Sequence, residues 1–64
     1  MIPGDSKEYR GYSVRCVAPN PPIGRAYTLL VIEKDSVSRT FKNEDQAAPH
    51  YLDKCIGMME KMNA

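Results

Sequence analysis

Tryptophan is missing from this chain, histidine and phenylalanine occur once each, and cysteine occurs only twice. A lone histidine, His50, leaves no second imidazole for a two-histidine metal site. Two cysteines without a C-x-x-C pair fall short of both a zinc knuckle and a disulfide framework, which usually needs four or more. Long hydrophobic runs are missing too. The longest uninterrupted one, Leu29-Leu30-Val31-Ile32, is far too short to cross a bilayer. The opening stretch Met1 to Glu8 has no apolar core, so no secretory signal is expected. Charge of one sign is also lacking: nine Lys and Arg stand against eight Asp and Glu, for a net charge of +1. A dedicated nucleic-acid domain normally shows a strongly basic balance, because phosphate neutralisation supplies most of its affinity.

What is present is ordinary globular composition, 42% apolar and 27% charged, which argues against a chain too polar to fold. Its 64 residues allow one domain, 1–64, with no room for a second. A domain this small buries only roughly 60% of the surface that its unfolded chain exposes, so help from a partner chain is a common solution. The chain opens on Met and is expected to be whole and cytoplasmic. In that compartment Cys16 and Cys55 are expected to be reduced, buried thiols. A Cys16–Cys55 bridge is compatible with both facing one core, but nothing requires it.

Residues 1–8 read as a polar, flexible lead-in. From Tyr9 the chain alternates, with Tyr12, Val14 and Cys16 against Ser13 and Arg15, and a strand is expected over 9–18. Pro19, Pro21, Pro22 and Gly24 then make a connection. A second strand is expected over 25–34. Its centre is apolar at consecutive positions, so both of its faces carry apolar groups and it should lie centrally. Lys34-Asp35-Ser36 reads as a tight turn, and a third strand over 37–42 puts Val37, Arg39 and Phe41 on one face.

The last element is an amphipathic helix expected over 46–62. Asn43 or Asp45 can cap it, and Asp45 is favoured because Pro49 then falls in the first turn. Ala48, Leu52, Cys55, Met59 and Met62 form one helical stripe. Gly57 is the weak position, costing about 1 kcal/mol relative to Ala. The order β-β-β-α predicts an α+β fold in which a three-stranded antiparallel meander packs on one C-terminal helix.

No residue set suggests catalysis. The only acid in local reach of His50 is Asp53, and a general base also needs a pocket and a substrate group. No catalytic residue, metal ligand or cofactor is therefore expected. The informative feature is the second strand: one helix covers one sheet face, yet Tyr27, Leu29 and Val31 point one way and Leu30 and Ile32 the other. The uncovered set should form an exposed apolar patch. With Met58, which lies off the helical stripe, Tyr27, Leu29 and Val31 are the candidate interface, and the expected function is a non-catalytic interaction domain. Its expected partner is a second copy, forming a homodimer through the sheet, or another protein, with no role at a membrane. The alternative is nucleic-acid binding by a sheet that interleaves basic residues with tyrosines, with Arg15, Arg25 and Arg39 as contacts.

Tyr9-Arg10-Gly11, the strand near Tyr27 to Ile32, Arg39-Thr40-Phe41, Asp45-Gln46-Ala47-Ala48 and Tyr51 occur in an order that resembles the AP2/integrase-type DNA-binding domains. In that family a Tyr-Arg-Gly opening and a Thr-Phe before an Ala-Ala helix recur. The resemblance implies a three-stranded sheet backed by a helix, and DNA as partner. The central strand here lacks the tryptophan and arginine readers usual in the family. The chain is also similar to short bacterial proteins of β-β-β-α order, a likeness that implies topology alone.

Overall fold

A computed structural model describes residues 1–18 and 27–62. Four strands, β1 (Ser6–Tyr9), β2 (Tyr12–Val17), β3 (Leu29–Lys34) and β4 (Val37–Lys42), precede one helix, α1 (Pro49–Met62). The strands form a single antiparallel sheet in the order β1-β2-β3-β4. The α+β class and the C-terminal helix are as the sequence predicts, but the sheet has four strands where three were expected.

The additional strand arises because Arg10 and Gly11 take φ of 54° and 81°. Two successive left-handed residues make the tight turn that suits the twist of a two-residue β-hairpin. The expected strand 9–18 is therefore interrupted at its start, and the chain before it folds back on β2, with Lys7 opposite Val14 and Tyr9 opposite Tyr12. The expected flexible lead-in is thus partly an edge strand. Its polar sequence suits a sheet edge, where no apolar face needs to be hidden. Gly4 and Asp5 both bond to Cys16, two residues against one as at a β-bulge, so the pairing extends past the strand. A second turn of the same kind, Asp35 and Ser36 at φ 50° and 71°, joins β3 to β4. The expected strand 25–34 begins at Leu29; residues 25 and 26 lie outside the described residues.

The expected helix start also moves. Asp45, Gln46 and Ala47 form a short 3-10 turn with φ of 50°, 52° and 60°, a left-handed reversal. Such a conformation costs roughly 1–2 kcal/mol per non-glycine residue. Burial of Ala47 in the core and a bond from the Met1 amino group to the Gln46 carbonyl (3.1 Å) offset part of that cost. Ala48 is extended, with ψ at 153°, as the residue before a proline prefers. Pro49 then opens α1 at the first helical position, where its missing N–H and fixed φ fit best. Asp45 therefore does not cap α1.

The core lies between α1 and one sheet face. Tyr12, Val14 and Cys16 of β2, with Leu30 and Ile32 of β3, meet Leu52, Cys55, Ile56 and Met59 of α1. Ile56 joins this set although it lies outside the stripe read from sequence. Met62, expected on that stripe, is 56% exposed. The buried side of α1 is centred near Leu52 and Met59, and Met62 falls on its flank.

Two substitutions probe this arrangement. Leu52→Ala removes a fully buried side chain and should lower the unfolding free energy by about 2–5 kcal/mol. Gly57→Ala should raise it by about 0.5–1 kcal/mol, because a Cβ there meets nothing within 4 Å. Urea midpoints at constant m-value measure both.

Candidate interaction surface

The face of the sheet turned away from α1 is defined by register. Val17 lies opposite Leu29, which lies opposite Lys42. In the next row Ser6, Arg15, Val31 and Thr40 are aligned, and beyond it Glu8, Ser13, Glu33 and Ser38. Side chains two apart on a strand share a face, so Leu29 and Val31 are neighbours along β3 and Val17 lies beside them. All three are half-buried, whereas Leu30 and Ile32 between them are fully buried under the helix. Tyr27, also half-buried, precedes β3. The charges around this cluster balance, with Arg15 and Lys42 against Glu8 and Glu33. Arg15 Nη2 lies 2.7 Å from Glu33 Oε1.

The residues singled out from sequence do not all converge. Leu29 and Val31 lie together on this outer face. Met58, 43% exposed, belongs to α1 on the other side of the sheet and cannot complete the same patch. The arginines separate as well. Arg15 is on the outer face, already paired, while Arg39 aligns with buried Ile32 on the helix-facing side and donates to the Ser38 carbonyl (2.9 Å). Arg25 lies outside the described residues. Val17 was missed by the sequence reading, although it continues the Ser13–Arg15 alternation that points outward.

The titratable groups hold the fold together. Asp53, expected as the acid near His50, instead accepts from Tyr9 Oη (3.0 Å) and Arg10 Nη1 (3.1 Å), clasping the first hairpin to α1. His50 pairs with Asp45 at 3.1 Å, and both are well exposed. Burial pushes the Cys55 thiol up from its usual range, which keeps it protonated and a poor nucleophile at neutral pH. Asn43 Nδ2 donates to Thr28 Oγ1 (2.8 Å) and to the Met1 carbonyl (3.0 Å), fixing the chain after β4 against the N-terminal segment. Cys16 lies beside this junction. Among the described residues no cluster of three His, Cys, Asp or Glu could hold a metal ion. No helix is long and apolar enough to cross a membrane among those residues. What the arrangement offers chemically, among the described residues, is a partly apolar, charge-balanced sheet face.

The chain matches no known family, no curated protein and no solved structure.

Tyr51 links the helix to the sheet by donating to the Lys42 carbonyl. Burial, followed by its contact with Cys55, pushes its phenol up to about 12. A phenol in the unfolded chain titrates near about 10. The folded state holds this proton more tightly, so the contribution is complete below about pH 10 and is lost as pH rises towards about 12. Tyr51→Phe should cost about 1 kcal/mol at neutral pH through the lost hydrogen bond. The gap between variant and parent should narrow across that alkaline window, as read from urea midpoints measured at a series of pH values.

Proposed function

We propose that the protein is a non-catalytic interaction domain that self-associates through the outer face of its sheet, centred on Leu29 and Val31 with Val17 and Tyr27 beside them. The observation that carries this reading is the cluster of three aliphatic side chains on the sheet face that α1 leaves uncovered. Apolar groups on a solvated sheet face lose further contact with water when a second layer packs on them. A second copy fits this face for two reasons. Its two cations and two anions balance, so like surfaces do not repel. A domain of this size also gains stability when association enlarges its single core. Face-to-face packing of two such sheets keeps strand directions within about 30° and leaves both helices outside.

Sedimentation equilibrium tests this directly. The parent chain should show a reversible monomer–dimer equilibrium, and Leu29→Lys should weaken it by about a hundredfold, near 3 kcal/mol, with an unchanged circular dichroism spectrum. A parent chain that stays monomeric at about millimolar concentration contradicts the reading. A folded Leu29→Lys variant that dimerises as well as the parent does so equally.

A further inference from the structure

A second surface lies along the other edge of the molecule, between β4 and α1. The two flanks of the helix differ sharply. On one flank Asp53 and Glu60 face Arg10 at the β1–β2 turn, at 3.1 and 3.9 Å. The opposite flank, one helical face at i, i+7 and i+11, carries Tyr51, Met58 and Met62. Tyr51 reaches the Lys42 carbonyl, which places this flank over β4. Met59 borders a shallow hollow with Val37, Tyr12, Lys34 and Asp35, so the later turns of the helix lie near the start of that strand. Met58 and Met62, 43% and 56% exposed, thus overlook the β4 edge.

Among the described residues no strand pairs with the outer edge of β4. Asn43 N–H donates to the Thr28 carbonyl at 2.9 Å, which makes 28/43 a hydrogen-bonded pair. By antiparallel alternation the pairs 30/41, 32/39 and 34/37 are the others, so the backbones of Ser38, Thr40 and Lys42 point away from the sheet. Arg39 covers the Ser38 carbonyl and Tyr51 the Lys42 carbonyl. Thr40 therefore presents both an N–H and a C=O, with the N–H groups of Ser38 and Lys42 on either side. The charges carried by β4 itself and by the adjoining solvent side of α1 are basic. β4 contains Arg39 and Lys42 and no acid, and α1 adds Lys54 and Lys61 on the solvent side next to Met58. Glu33, opposite Ser38 on the outer face, is paired with Arg15, and the other nearby acids bracket the ends: Asp35 in the turn before β4, with Glu44 and Asp45 after it, the last of these facing His50.

We infer that the β4 edge and the Tyr51–Met58–Met62 flank of α1 together form a docking site for an extended, acidic and partly apolar peptide segment of another protein. The segment adds a short fifth strand paired about Thr40, the main-chain mode in which an extended ligand joins an exposed sheet edge. Its apolar side chains lie against Met58 and Met62, whose flexible thioethers adapt to irregular partners. Its carboxylates meet Arg39, Lys42, Lys54 and Lys61. Arg39 changes partner in the process, from the neutral Ser38 carbonyl to a carboxylate, where a charge-assisted hydrogen bond is stronger. Nucleic acid would use the same cations, but it makes no use of an open strand edge or of two exposed methionines.

Titration of the isotope-labelled protein with a capped peptide of about eight residues alternating Glu and Leu, followed by NMR, tests the site. The expected result is saturable shifts at the amides of Ser38, Thr40 and Lys42 and at the methyl groups of Met58 and Met62. Each of Arg39→Glu and Met58→Glu, both surface changes that leave the core intact, should weaken binding by about tenfold or more. Several results would overturn the inference: no shifts at about millimolar peptide, equal binding of the same peptide with Lys in place of Glu, or shifts confined to the outer sheet face. Saturation of the same residues by a single-stranded oligouridylate but not by the acidic peptide would replace the partner with nucleic acid. Concentration-dependent shifts at Ser38 and Thr40 without any peptide would assign the edge to a second copy and overturn it as well.

Discussion

The contact that the rest of this structure depends on is the packing of α1 across the two central strands. Leu52, Ile56 and Met59 on the helix, with Val14, Leu30 and Ile32 below them, are all fully buried, and together with Cys16 and Cys55 they make up most of the core. The surrounding devices serve that contact. The left-handed turn at Asp45–Ala47 reverses the chain after β4, and Pro49 starts the helix where the reversal ends. Tyr51 bonds it to the end of β4, while Tyr9 and Arg10 hold its other flank through Asp53.

A core closed on one side only has consequences for the remaining surface. The outer sheet face keeps half-buried aliphatic groups that α1 does not cover, because β3 is apolar on both sides and one helix reaches only one of them. The clasp at Asp53 and Glu60 neutralises one flank of α1 and leaves the cations and exposed methionines on the other. Cys55 is buried and held protonated, Asp53 is shared by two donors, and His50 stands at the surface beside Asp45.

Much of the fold was legible in the sequence where apolar period was strong. The Leu52–Cys55–Met59 stripe identified the helix, the consecutive apolar residues of β3 identified the central strand, and the alternation of Val37 to Lys42 gave β4 its limits. β1 was not legible, because Ser6-Lys7-Glu8 has no apolar face and an edge strand needs none. Its turn was hidden as well. Asn-Gly is the usual signal for such a hairpin, and Arg10 adopts a positive φ without advertising it. The helix start shifted because the effect of Pro49 on the residue before it outweighed the capping potential of Asp45. At the candidate site, parity along β3 was enough to put Leu29 and Val31 on one face. It could not relate Arg15 to Arg39, nor Met58 to Leu29, since register between strands and the choice of the covered face are decided by tertiary packing. Val17 was readable by the same parity and became significant only once β2 was found beside β3.

The helix closes one face of the sheet, and the proposed self-association uses the other. A concentration series of methyl NMR spectra tests it most directly, because each face carries its own aliphatic probes. The account predicts that the methyl signals of Val17, Leu29 and Val31 move with protein concentration while those of Leu30, Ile32, Leu52 and Ile56 stay in place. Outer-face signals that do not change over the whole range, or concentration-dependent shifts centred on Leu30 and Ile32, would contradict it.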